Sequence, residues 1–103
     1  NRLGENVSPH EIEHLLGLIG GVREAAVFGA PDEELGERTV AVVVTDGPLG
    51  RRRVMKDFEE QGIARYKVPD EVIVVDAIPR TNIGKVDKEA LRAMTQQRTE
   101  RTD

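Results

Sequence analysis

Pro79-Arg80-Thr81-Asn82-Ile83-Gly84-Lys85-Val86-Asp87-Lys88 divides a strand-like apolar run from a helix-like terminal segment. Proline at 79 ends the strand, because it has no N–H to give to a ladder. Gly84 permits backbone angles that a residue with a side chain resists, so the chain turns sharply just before Lys85. The stretch reads as a short, hairpin-like loop that presents one lysine on a glycine pivot. Spacing alone leaves a blander reading open, a solvated surface lysine at a turn.

Working outward, residues 71–76 form a strand, with Val72 and Val74 opposed to Ile73 and Val75. Asp87 caps a last helix whose Leu91 and Met94 point inward. From about residue 96 the chain is polar with no apolar face, so a frayed tail over 96–103 is expected.

At the other end, Ser8 is a good N-cap, Pro9 suits the first helical position, and Glu11 completes a Ser-x-x-Glu capping box. Val7 and Ile12 stand where a hydrophobic staple would have them. Ile12, Leu15, Leu16 and Ile19 give one helical stripe, and Gly20-Gly21 ends it.

Residues 22–29 read as a strand, and Pro31-Asp32-Glu33-Glu34 as a turn closed by Gly36. Residues 37–45 place Val40, Val42 and Val44 on one face and Thr39, Ala41 and Val43 on the other. So few of these are polar that both faces are expected to be covered. Asp46-Gly47-Pro48 breaks this strand. A helix at about 49–61 follows, with Val54, Met55 and Phe58 inward. Residues 63–69 are a connecting loop carrying Tyr66 and Lys67. The order of helix, strand, strand, helix, strand, lysine loop, helix predicts an α+β domain, a small three-stranded sheet flanked by helices.

The 103 residues suffice for one modest core, and with aromatics at only 3% that core must be aliphatic. A net charge of −4 speaks against a nucleic-acid partner, which would call for a basic face. The absence of cysteine excludes a disulfide framework and a thiol nucleophile. No apolar run approaches membrane-spanning length and no signal peptide is visible, so a cytoplasmic protein without a membrane partner is expected. With no initiator methionine, the chain reads as part of a longer polypeptide.

His10-Glu11-Ile12-Glu13-His14 matches His-Glu-x-x-His, which puts two imidazoles on one helix face, with Glu33 or Glu34 as an imaginable third zinc ligand. Against zinc, His10 lies beside the helix cap, Glu11 has a capping role, and only two histidines are available. The expected metal set is therefore none. Arg51-Arg52-Arg53 is either a solvated face or an attraction for a phosphate-rich partner.

Pro79 to Val86, Pro-Arg-Thr-x-x-Gly-Lys-Val, resembles the last signature motif of the adenylate-forming enzymes. That superfamily contains acyl- and aryl-CoA synthetases, aryl-acid–AMP ligases, peptide-synthetase adenylation domains and luciferases. Leu3-Gly4-Glu5-Asn6-Val7-Ser8-Pro9, then Glu11-Ile12-Glu13, is similar to the family's Gly-Gly-Glu-Asn-[Ile/Val]-x-Pro-x-Glu-[Ile/Val]-Glu segment. Val22 to Val27, Pro31-Asp32, Leu35-Gly36-Glu37 and Tyr66-Lys67-Val68-Pro69 fall in the family's order, so the resemblance covers roughly residues 1–94. Gly62 to Pro69 and Gly84 to Lys88 look closest to ligases for aryl and cyclic acids.

The resemblance implies that residues 1–103 are the C-terminal lid subdomain of an ATP-dependent acid ligase, inactive alone, whose N-terminal domain lies outside this chain. That domain would hold ATP, magnesium and the carboxylic acid. Lys85 would enter its site to help form an acyl- or aryl-adenylate, with Gly84 as the loop pivot. After the lid turns, Gly4, Glu5 and Asn6 would line the tunnel for a thiol of coenzyme A or of a carrier protein's phosphopantetheine. Lys67, Arg51 and Arg52 become candidates for contact with phosphate or coenzyme A. Leu3 replaces the first of the two glycines, and the hinge residue falls upstream of Asn1. Two alternatives are a stand-alone interaction module of the same fold and a small zinc hydrolase using His10, Glu11 and His14.

Overall fold

Helix α1 (Pro9–Gly17) begins as its start signals dictate. In the computed structural model, which describes residues 8–34 and 36–101 (96–101 by backbone alone), Ser8 is extended and its hydroxyl accepts from the Glu11 N–H at 3.4 Å. Only half of the capping box forms. Glu11 turns away from Ser8, and its Oε2 accepts from Lys67 Nζ at 2.5 Å. Val7, the expected staple partner, lies outside the described residues. The helix stops at Gly17, before the glycine pair that was expected to end it, and Gly21 at φ 93 carries the turn into the sheet.

Strand β1 (Val22–Asp32) pairs antiparallel with β2 (Gly36–Thr45), and β2 pairs parallel with β3 (Glu71–Val74), giving the order β1-β2-β3. Helix α2 (Arg51–Glu60) makes the crossover that a parallel pair requires. β1 runs through Pro31 and Asp32, which the sequence reading had assigned to a turn; they face Glu37 and Gly36. Proline is tolerated there because β1 is an edge strand. Pro31 shares the parity of Val27, whose N–H points away from β2 to a side chain of α1, so the missing donor falls on the free edge. The turn begins at Glu33, where the Asp32 carboxylate accepts from the Glu34 N–H at 2.9 Å.

The period-two pattern of β2 sorts the core into two clusters. On one face Ala41, Val43 and Val27 meet Ile12, Leu16 and Ile19 below α1 and Val54 and Phe58 of α2. On the other, Val40, Val42, Ala26, Phe28 and Ile73 are covered by Ile78 and Leu91. Both faces of the sheet are buried, as the scarcity of polar residues in β2 predicts. Met55 is half-buried filler at the margin of the first cluster.

Helix α3 (Lys88–Arg101) covers the second cluster. Asp87 caps it, accepting from the Ala90 N–H at 3.0 Å. Leu91 is fully buried, but Met94, expected inward, is 37% exposed, and Thr95 is buried in its place. The helix continues to Arg101, beyond the point where the apolar spacing ends. Arg65–Lys67 form a short 3-10 turn within the expected loop. The architecture is the α+β sandwich of sheet and helices that the element order implies, and no described helix is long and apolar enough to cross a membrane.

Candidate functional site

The lysine loop is a three-residue hairpin. Arg80 and Val86 form an antiparallel bridge, the Thr81 N–H donates to the Lys85 carbonyl at 2.7 Å, and the Gly84 N–H donates to the Thr81 carbonyl at 3.0 Å. Asn82 and Ile83 occupy the turn, and Gly84 follows at φ 87, the left-handed position that closes a loop of this kind with a bulge. Nothing lies within 4 Å of the place where a Cβ on Gly84 would stand, so glycine is needed there for backbone conformation and not for space. The strand before this loop, expected over 71–76, ends at Val74, well short of Pro79, so Pro79 does not stop it as the sequence suggested; its carbonyl instead accepts from the Asp87 N–H at 2.9 Å.

Lys85 leaves this hairpin exposed, and its ammonium has no hydrogen-bond or ion-pair partner among the described residues. Ile83, at the tip, is 79% exposed. Arg80 sits at the base. Its Nη1 donates to the Gly84 carbonyl at 3.0 Å and its Nη2 to Glu24 Oε1 of β1 at 2.7 Å.

Lys88 is not the solvated residue its position suggests. Its ammonium donates to the Val27 carbonyl and lies 3.3 Å from Glu13 Oε2, which in turn accepts from the Val27 N–H at 2.8 Å. The two side chains satisfy both outward-facing backbone groups of an edge-strand residue, as a neighbouring strand would. No short-range pattern announces this, because the three residues come from α1, β1 and α3.

Lys67 is committed to Glu11, and its ammonium also stands 5.9 Å from the centroid of the Tyr66 ring. The hydrogen bond it donates to Glu11 holds its pKa above the ordinary lysine value, with partial desolvation opposing and the Glu11 charge reinforcing. Arg51 Nε donates to the Pro69 carbonyl at 2.8 Å, tying the start of α2 to the segment before β3. Arg53 pairs with Asp57 one turn on, at 3.1 Å. Arg52 is exposed and has no partner among the described residues. No described contact joins Lys67, Arg51 or Arg52 to Lys85. Gly4, Glu5 and Asn6 lie outside the described residues.

The zinc alternative finds no support in this arrangement. Glu11, its required base, is engaged by Lys67, His10 leans on Glu13 at 3.4 Å with its side chain 90% exposed, and no group of three or more metal-ligating side chains occurs among the described residues.

The small mixed sheet, covered on both faces, is the fold of a known domain. The family model of the AMP-binding enzyme C-terminal domain covers residues 11–85 and ends on Lys85. The chain belongs to that family. Triostin synthetase I of Streptomyces triostinicus is 47% identical over 95 residues, 91% of this chain and 18% of that protein. Indoleacetate–CoA ligase of Aromatoleum aromaticum is 45% identical over 100 residues, 93% of this chain and 19% of that protein. Among solved structures, the fatty acyl CoA synthetase of Mycobacterium tuberculosis superposes with a TM-score of 0.80 at 41% identity, covering 90% of this chain and 18% of that one. The chain thus spans less than a fifth of the length of these members of the adenylate-forming ligase family.

Proposed function

We propose that this domain is the mobile C-terminal lid of an ATP-dependent carboxylic acid ligase, and that Lys85 is the residue it delivers to the reaction. In the first step a carboxylate oxygen attacks the α-phosphorus of ATP, the bond to the bridging oxygen breaks, and pyrophosphate leaves. Negative charge gathers on the oxygens around that phosphorus while a second anion approaches. A positioned ammonium offsets both charges and holds the reactants together. In the second step a thiol of coenzyme A, or of a carrier protein's phosphopantetheine, attacks the acyl carbon of the adenylate and AMP leaves. The lid then turns Lys85 away and brings Gly4, Glu5 and Asn6 to the thiol's path, so that one domain gates two half-reactions.

ATP, magnesium and the acid are assigned to a companion N-terminal domain. The relatives named above include a ligase for an aromatic acid and a synthetase for fatty acyl groups, at similar identity to this chain. The choice of acid is therefore assigned to the companion domain as well.

The observation that carries the reading is the ammonium of Lys85, held out on a tight hairpin with no partner among the described residues. The test is Lys85→Ala in the ligase that contains this domain. Acid-dependent ATP–pyrophosphate exchange should fall about 10²–10³-fold, the usual loss for one preorganised electrostatic contact. Thioester formation from supplied adenylate should survive. Exchange at the wild-type rate would remove Lys85 from the chemistry.

A further inference from the structure

We infer that Arg80, braced by Glu24, is a positioning residue for Lys85. This rests on the reading of Lys85 given above. Arg80 spans from the sheet to the tip of the hairpin. One guanidinium nitrogen reaches Glu24 on β1 at 2.7 Å, and another reaches the carbonyl of Gly84 at 3.0 Å. That carbonyl belongs to the peptide joining Gly84 to Lys85, so fixing it fixes the direction in which the lysine leaves the backbone.

The brace has little competition. Within the hairpin, backbone hydrogen bonds close the turn at Thr81, Gly84 and Lys85. Among the described residues, the bond from Arg80 is the one side-chain hydrogen bond that reaches residues 82–85. The far end is anchored, because Glu24 stands on β1 opposite Val44 of the central strand.

An exposed ion pair adds little to folding stability, and the side chains of Arg80 and Glu24 are 46% and 40% exposed. Stability therefore gives no account of a guanidinium shared between a carboxylate and a turn carbonyl. Orientation does. A planar fork reaches two acceptors from separate nitrogens at fixed angles, whereas an ammonium presents all its donors from one atom.

The experiment uses the ligase that contains this domain. Adenylate formation is read by single-turnover kinetics, and thioester formation from supplied adenylate is read separately. Arg80→Ala should slow adenylate formation about 10–10²-fold, the scale of loss from a small misplacement of a reacting group. Thioester formation should be unchanged. Arg80→Lys should not rescue, and Glu24→Gln should fall between wild type and Arg80→Ala, since an amide oxygen still accepts. In a Lys85→Ala background, Arg80→Ala should add nothing, because both changes remove one function.

Melting temperatures are recorded alongside, and Arg80→Gln replaces Arg80→Ala if the latter does not fold. Three results would each overturn the brace: wild-type adenylation in Arg80→Ala, equal losses in both half-reactions, or a further loss on top of Lys85→Ala. If Lys85→Ala itself adenylates normally, the reading of Lys85 fails first and the brace with it. If Lys85→Ala is crippled and Arg80→Ala is not, only the brace fails.

Discussion

The charged ends of Glu13 on α1 and Lys88 on α3 meet 3.3 Å apart at the free edge of β1, one accepting from the Val27 N–H and the other donating to its carbonyl. Each side chain also covers for the other's burial, since their exposures are 21% and 35%. Glu13→Ala strands a partly buried N–H and leaves Lys88 without its counter-charge. It should lower stability by about 2 kcal/mol. Lys88→Ala leaves the Val27 carbonyl without its donor and Glu13 without its counter-charge, and should lower it by about 1 kcal/mol. For a domain of this size each kcal/mol moves the melting temperature by about 4–8 °C. Two variants melting with the wild type would mean that the clamp carries no folding energy.

The pair of Lys67 and Glu11 gives a pH dependence with a definite sign. The folded state holds the Lys67 proton more tightly than the unfolded chain, because Glu11 bonds to and attracts the ammonium. The resulting stability is fully present below the unfolded lysine value of about 10.4 and is lost as pH rises through the higher folded value. Denaturant unfolding of the wild type and of Lys67→Met should therefore differ by a constant amount from neutrality to about pH 10, and the difference should close above that. A gap that already closes near pH 8 would assign it to another group.

Gly84 separates conformation from space. Its φ of 87 disfavours any L side chain, and nothing within 4 Å would obstruct a Cβ. Gly84→Ala should cost about 1–2 kcal/mol of backbone strain at the hairpin. Gly84→Asn should be milder, since asparagine tolerates this region. In the ligase, the same ranking should appear in ATP–pyrophosphate exchange, with the alanine variant the slower. Alanine and asparagine variants indistinguishable from wild type in both measurements would mean that the turn adopts another form without loss.

Much of this was legible in the residues. The scarcity of polar residues in β2 announced a sheet buried on both faces, Ser8 and Asp87 announced two helix starts, and Gly84 announced the turn. What escaped has a common cause. Glu11 was assigned to its cap because the capping pattern is local, whereas its partner Lys67 is brought to it only by the fold. Arg80 lay inside the motif that drew attention, yet its carboxylate partner is 56 residues away. Pro31 looked like a turn because proline interrupts ladders, and only the strand order reveals an edge where no donor is needed. Gly4, Glu5 and Asn6, which the family resemblance proposes for the thiol path, lie outside the described residues.

Helix α3 offers the sharpest check on the packing, because the register of its inner face differs from the one its apolar residues suggest. Spacing of three from Leu91 selects Met94, and spacing of four selects Thr95. The fold takes the second, leaving Met94 37% exposed and burying Thr95, whose hydroxyl donates to the carbonyls of Leu91 and Arg92 at 3.1 Å each. Threonine is accepted inside because its hydroxyl returns to its own helix, so no buried donor is left unpaired. Leu91, with no exposure at all, closes the second cluster over Phe28, Val42 and Ile73. Leu91→Ala should therefore lose about 2–5 kcal/mol through lost burial and the cavity it leaves. That is a large part of the margin of about 5–15 kcal/mol typical of a whole domain. Met94→Ala should stay within about 0.5 kcal/mol of the wild type, as surface changes do. Thr95→Val should be close to neutral, because the carbonyls it releases keep their helical partners. Urea unfolding of the three variants reads these differences directly. A large loss in Met94→Ala with a small one in Leu91→Ala would place the other face of α3 against the sheet.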